Sequence, residues 1–532
     1  MRRVLVLTAV LAAAHPLVSA RQVQPFAVEE ATIAGAHAAM REERLTCRAL
    51  VQHYLRRIDT YDKNGPSLNA IVVVNPHALQ EADALDRRFT LSGPAGPLHC
   101  VPMIVKDNFQ TAGLPSTNGS LALEGFIPAK DAFQVRRVKE AGAIVLAKSN
   151  LAEWAFTPYE TLSSILPGYT KNPYALDRVT AGSSGGTAAA VAANFGLIGL
   201  GSDTGNSIRG PSSHQALVGI RSTMGLTSRA GVMPLNLLAD IAGPMGRSVA
   251  DVAAVFQVIA GEDPDDPATA AARGRPREDY LAALDRDGLR GARIGVLRQA
   301  YERSTAGPAA PGAPAPTDTT DPEVRAVFER AVADLRQAGA VIVDAATVEE
   351  LDAIRRPSGI GPCMGFKYDI NRYLAAHGDR IPVKSLAEVI KSGRFHPTVQ
   401  RRLEQAEQGP EHGPDSAACE AERTYREQVR QAVLKTMDAL KLDAFVYPTW
   451  SNPPRLIGDL NTPHGDNSQF FSPTTGFPAI QVPMGYTRGA TLPAGITFIG
   501  RAWSETTLFR LAYGYEQATR HRRPPASTPP LR

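Results

Sequence analysis

From Leu98 onward the chain alternates short apolar runs with segments of helical period, and this alternation narrows the fold to the α/β class. LHCVPMIV (98–105) has the length and apolar content of a buried strand, 132–141 the period of a helix, and AIVLA (143–147) those of the next strand. GGTAAAVAANF (185–195) then predicts a tightly packed, Ala-rich helix, and 197–201 another strand. A further helix is expected over 248–260, opened by Ser248 and Asp251 in a capping-box-like pair. Additional strands are expected at 292–297, 340–344 and 443–447. GPAAPGAPAPTD (307–318) reads as a Pro/Ala/Gly loop, and 394–440 as charged, exposed helix broken at GPEHGP (409–414). No internal repeat interrupts the pattern.

A chain of 532 residues, 43% hydrophobic, can bury a large core, and length alone allows two to four domains or fewer around one large sheet. The 57 basic residues against 53 acidic ones are scattered, so no electrostatic footprint for nucleic acid is present. At the amino terminus, Arg2 and Arg3 precede an apolar run over 4–14 and the small-residue sequence Val18-Ser19-Ala20, the pattern of a secretory signal over 1–20. That run is about half of the roughly 20 residues needed to span a bilayer, so export without stable membrane insertion is expected. Cys47, Cys100, Cys363 and Cys419 match no metal-ligand spacing. After export they can form one or two disulfides, in any of three complete pairings, or remain as buried thiols.

Several chemical motifs fail on inspection. The segment 142–149 approaches a phosphate-binding loop but lacks its second glycine and reads as a strand. Gly182-Ser183-Ser184-Gly185-Gly186 satisfies G-x-S-x-G around Ser184, yet no oxyanion loop of the HGGG kind accompanies it. None of the 11 histidines lies in an HExxH arrangement. What remains is a pair of glycine- and serine-rich segments and Lys106, placed at the end of a strand expected to be buried. Desolvation lowers a lysine's pKa and can make it a neutral general base.

These residues resemble the amidase signature hydrolases. The resemblance rests on AGSSGGT (181–187), GLGSDTGNSIRGPS (199–212) and PMIVKDN (102–108), with Ser183 and Ser207 spaced 24 residues apart. It extends to KSNLAEWAF (148–156), AGPMGRSVADVAA (242–254), Pro448-Thr449, TGFPAIQVPMGY (475–486) and YGYEQAT (513–519). It implies an amidase-signature fold: one large domain over 21–532 with a central mixed β-sheet covered by helices on both faces. The signature core spans about 75–260, a variable helical region about 350–440, and the part at 441–525 completes the core.

The resemblance also implies the chemistry. Ser207 is the expected nucleophile, Ser183 a bridging serine on a cis peptide bond, and Lys106 the base, with no metal or organic cofactor. Thr204, Gly205 and Asn206 are the expected oxyanion hole, braced by Asp203 and Arg209. Many members carry Gly-Gly-Ser where this chain has Gly205-Asn206-Ser207, which gives Asn206 a side chain without an assigned purpose. Trp154, Phe156, Tyr159, Phe470 and Phe471 are expected beside the acyl channel. The substrate is a small-molecule or peptide amide; LNAIVVVNPHALQEADALDRR (68–88) resembles bacterial peptide amidases, which remove carboxy-terminal amides. Carbamate or ester hydrolysis suits the same site, whereas an amidotransferase of the A type or an inactive binding protein fits less well.

Overall fold

A computed structural model describes residues 26–302, 320–354, 365–462 and 464–531. The segment 1–20, the loop 307–318 and Cys363 lie outside the described residues. In chain order the strands are β1 (Ile71–Val74), β2 (Pro102–Lys106), β3 (Ile144–Ser149), β4 (Lys171–Asn172), β5 (Ala175–Val179), β6 (Ile198–Asp203) and β7 (Val218–Arg221). They continue as β8 (Ile241–Gly246), β9 (Arg293–Val296), β10 (Val341–Val343), β11 (Ala444–Pro448), β12 (Ala479–Thr487) and β13 (Leu492–Ile499). Eleven of them form one mixed sheet in the order β1-β3-β2-β6-β8-β7-β12-β13-β11-β9-β10, while β4 and β5 pair separately.

Parallel pairing joins β3, β2 and β6 at one end of the sheet and β11, β9 and β10 at the other. Antiparallel strands β8, β7, β12 and β13 fill the middle. Because β2 and β6 run parallel, Lys106 and Asp203 stand at the same, carboxyl-terminal edge of neighbouring strands, where open α/β sheets form their crevices. The helix Gly185–Ala192 follows the first glycine-rich segment and packs on β2, β3, β6 and β8. All eight of its residues are buried, which explains the run of small side chains. Close approach decides two positions: a Cβ on Gly186 would lie 2.3 Å from Asn150 O, and one on Gly182 2.5 Å from Glu160 O.

Most expected elements recur within a residue or three of their limits. The helix Val249–Ile259 starts as its capping pair predicts, with Ser248 Oγ accepting from Asp251 N–H. The strand expected from Leu98 begins only at Pro102. Val101 N–H donates to Leu98 O (3.0 Å) and Cys100 takes φ 54°, so this stretch closes a turn instead of joining the sheet. Cys100 is disulfide-bonded there to Cys47, 53 residues away, which settles one pair that spacing left open. Strands β7 and β8 and the hairpin β12–β13 carried no alternation to reveal them. IAGPMG and its neighbours are buried on both faces and interrupted by Gly and Pro.

The expected helical region is realised as Phe366–Ala375, Leu386–Ser392, Pro397–Glu407 and Glu420–Ala439. Its first three helices build a second apolar cluster, apart from the main core, in which Phe366, Ile370, Leu386 and Leu403 meet Trp154 and Phe156. That cluster holds the helical region over the carboxyl edge of β2 and β6. No described helix is long and apolar enough to cross a membrane.

Candidate active site

Lys106, the last residue of β2, is completely buried, and its Nζ donates to Ser183 Oγ (2.7 Å) and Ser202 Oγ (2.9 Å). Ser202 Oγ also accepts from Asn108 Nδ2 (3.0 Å), so two side chains fix the position of the amine's second partner. Burial lowers the Lys106 pKa to about 7, against the opposing pull of the Asp203 and Asp240 carboxylates. Near neutral pH this amine is therefore poised between acid and base. Ser183 follows a cis Gly182–Ser183 peptide bond and precedes the Ala-rich helix.

Ser207 comes from the second glycine-rich segment, between β6 and the short helix Arg209–His214. The two segments are tied by Ser184 N–H, which donates to Ser207 O (3.3 Å). Ser184 Oγ donates to Ser202 O (3.2 Å), so this hydroxyl is spent on the scaffold and no nucleophile elbow is built around it. Ser207 Oγ faces Asn206 Oδ1 at 3.5 Å. Asn206 is buried, its carbonyl accepts from Gly210 N–H (2.6 Å), and its Nδ2 has no partner among the described residues.

Thr204, Gly205, Asn206 and Ser207 line a cavity of about 770 Å³. Among the described residues, none of their backbone N–H groups donates to another protein group, which leaves them available to an oxyanion. The brace beneath them is more extensive than Asp203 and Arg209 alone. Asp203 pairs with Arg209 (3.1 Å) and also with Arg221 (3.2 Å), which the sequence reading missed. Arg209 in turn donates to Gly205 O (2.6 Å) and Ser468 O (2.9 Å), locking the loop against a distant segment. Burial alone would raise the Asp203 pKa, but Arg209 and Arg221 outweigh it and hold the carboxyl below its ordinary value. Thr204 Oγ1 donates to Asp240 Oδ1 (2.5 Å), anchoring the start of the loop.

The five aromatic residues expected beside the channel separate into two groups. Phe156 and Tyr159 line the cavity. Trp154, Phe470 and Phe471 do not, and their placement is corrected here: Trp154 is fully buried in the second apolar cluster, whereas Phe471 is buried in the main core with Phe470 packed against it. Nearness in sequence to a motif did not distinguish a wall from a foundation. Several walls went unnoticed instead, among them Gln469, Arg401, Arg402 and Arg426. Nothing in their local sequence distinguishes them from the solvated face of a helix or loop. Lys148, in the segment that mimics a phosphate loop, is buried in β3 and pairs with Asp107 (3.4 Å), a structural contact.

A family model described as Amidase matches residues 49–509. A protein of Arabidopsis thaliana named as a probable amidase is 33% identical over 527 residues, covering 94% of this chain and 92% of its own. The A subunit of the glutamyl-tRNA(Gln) amidotransferase of Moorella thermoacetica is 35% identical over 461 residues, covering 84% of this chain and 89% of its own. Among solved structures, the native peptide amidase of Stenotrophomonas maltophilia superposes with a TM-score of 0.80 at 37% identity, covering 94% of this chain and 99% of that one.

Proposed function

The chain belongs to the amidase signature family and is an amidohydrolase of amide C–N bonds, and from that premise we propose a serine mechanism in which Ser207 attacks, Ser183 relays and Lys106 is the base. The observation that carries this reading is the 2.7 Å contact between Lys106 Nζ and Ser183 Oγ inside a site where burial brings the amine to about 7.

In the proposed cycle Ser207 exchanges its Asn206 partner for Ser183. As Ser207 Oγ adds to the carbonyl carbon, its proton passes to Ser183 Oγ while the Ser183 proton passes to Lys106 Nζ. The N–H groups of the 204–206 loop receive the developing oxyanion, a contribution of roughly 3 to 4 kcal/mol per donor. Collapse of the tetrahedral adduct breaks the C–N bond, and the proton held by Lys106 returns through Ser183 to the leaving amine. Water then adds to the acyl-enzyme along the same proton path and releases the acid.

The proposed substrate is a carboxy-terminal peptide amide or a similar alkyl or aryl amide. Support comes from the likeness to the Stenotrophomonas maltophilia peptide amidase along 99% of that chain. The cavity walls formed by Phe156 and Tyr159 suit an apolar or aromatic group. Carbamates and esters present the same carbonyl to the same donors. The test is a panel of peptide amides, anilides, carbamates and esters, with mass spectrometry of the quenched enzyme. Turnover of peptide amides with an acyl adduct on the peptide containing Ser207 is the expected result, and an adduct elsewhere would overturn the assignment.

The likeness to the glutamyl-tRNA(Gln) amidotransferase A subunit favours one competing reading, an amidotransferase subunit acting on charged transfer RNA. Export argues against it, because an exported chain does not meet charged transfer RNA. Support for export comes from the Arg2-Arg3, apolar and small-residue pattern of 1–20. Amino-terminal sequencing of protein recovered outside the cytoplasm should begin near Arg21; a mature chain that retains Met1 would refute export.

A further inference from the structure

The walls of the cavity over Ser207 include three arginines, Arg401, Arg402 and Arg426, together with Asn236, Gln405 and Gln469, and among the described residues no Asp or Glu lines it. The three cations are not equivalent. Arg426 is bound by Glu422 (3.1 Å) and donates to the carbonyls of Leu238 (3.2 Å), Pro473 (3.0 Å) and Thr474 (3.3 Å), so it fastens the helix Glu420–Ala439 to the site loops.

Arg401 and Arg402 lie side by side on the helix Pro397–Glu407, and neither forms an ion pair with a carboxylate among the described residues. The acids of their own helix are engaged elsewhere: Glu404 accepts from Gln400 (2.9 Å) and Glu407 pairs with Lys367 (3.2 Å). Arg402 is nevertheless held in place. Its guanidinium lies 4.8 Å from the centre of the Phe156 ring and donates to Phe156 O, and Phe156 is itself a cavity wall. Both arginines keep solvent-exposed surface and are open to a ligand entering the cavity.

Two guanidiniums without an ion-pair partner, in a cavity whose described lining holds no acid, are complementary to a carboxylate, which accepts two N–H bonds from one fork. We infer that the cavity selects amides that carry a carboxylate remote from the scissile bond, such as amidated peptides with an acidic side chain, and that Arg401 and Arg402 bind it. This rests on the amidase reading for its chemistry but on the cavity walls for its selectivity. Neutral apolar amides then have only apolar walls such as Phe156, Tyr159, Phe366 and Leu235 to hold them.

Two measurements test it. The first compares kcat/KM for acetylated peptide amides that differ only in Glu against Gln, placed at the amidated residue or at either of the two residues before it. A charge-assisted hydrogen-bond pair should favour Glu by about tenfold or more at one of these positions. The gain should appear in KM, shrink with added salt, and fall toward parity in Arg401→Ala/Arg402→Gln. The second measures binding of the same peptides to Ser207→Ala by calorimetry, with the Arg401→Ala single variant as a control that leaves the Phe156 packing intact. Turnover without Glu preference at any position would overturn the inference and leave the amidase reading standing. Preferential binding of Glu peptides with no turnover by the parent enzyme would uphold the inference and sink the amidase reading. A Glu preference that persists in both arginine variants would also overturn it.

Discussion

Ser207→Ala is expected to lower kcat on the best peptide amide by about 10⁴-fold or more while leaving the fold intact, because it removes the proposed nucleophilic oxygen. Ser207 is small, at the cavity surface, and among the described residues its hydroxyl makes only the 3.5 Å contact with Asn206 Oδ1, so little packing is lost. Ser183→Ala removes the acceptor of the Lys106 bond and should cost orders of magnitude as well. On the proposed single proton path, the Ser183→Ala/Ser207→Ala double variant should be hardly worse than Ser207→Ala alone. Circular dichroism and kcat together check this. Additive losses, or a Ser207→Ala enzyme with parental turnover, would show the path to be wrong.

The second large effect concerns Lys106 and pH. The amine titrates near 7 in the folded chain, below its ordinary value of 10.5, because burial disfavours the ammonium. Only the neutral form can accept the serine proton, so kcat/KM should rise about tenfold per pH unit below 7 and level off above it. Lys106→Met should lose activity by about 10³-fold or more and lose this rise with it. A purely structural lysine predicts the opposite pattern, loss of stability without a change in the profile. The linkage has a definite sign: the unfolded chain holds the proton up to about 10.5 and the folded chain only to about 7. The stability this group contributes is therefore fully present above 10.5 and is lost as pH falls toward 7. At pH 7 Lys106→Met removes a buried amine that is costly to charge, so its melting temperature should be no lower than that of the parent. A flat parental profile across pH 6 to 8 would reject Lys106 as the base.

Particular residues show where reading the chain succeeded. The parallel strands β2, β3 and β6 announced themselves as continuous apolar runs, since a strand covered on both faces has no polar positions to hide it. The glycines of 182–186 were legible because a side chain there would collide with neighbouring backbone or side chains. By contrast β8, with Gly and Pro in IAGPMG, lacks every local strand signal and exists because β6 and β7 pair with it. Trp154 and Phe156 stand two residues apart and nothing local separates them, yet one is sealed in an apolar cluster while the other also faces the cavity.

Asn206, the departure from the Gly-Gly-Ser pattern, acquires a place: its Oδ1 is the resting partner of the Ser207 hydroxyl. Arg221 was invisible beforehand because its role depends on β7 lying two strands from β6 across β8, where its guanidinium reaches the Asp203 carboxylate.

The sequence by itself determined the α/β class and the family, and it singled out Lys106, Ser183 and Ser207 as the candidates for the proposed proton path, because each sits in a short local pattern. Tertiary structure alone decided that Lys106 meets Ser202 as well as Ser183, that Arg221 joins Arg209 on Asp203, and which arginines face the cavity. Those outcomes depend on burial and on contacts that the local sequence does not encode. A lysine at the end of an apolar run is an ordinary charged group until the folded sheet removes its water, and an arginine on an amphipathic helix is one surface cation among many until the helix is laid beside a cavity.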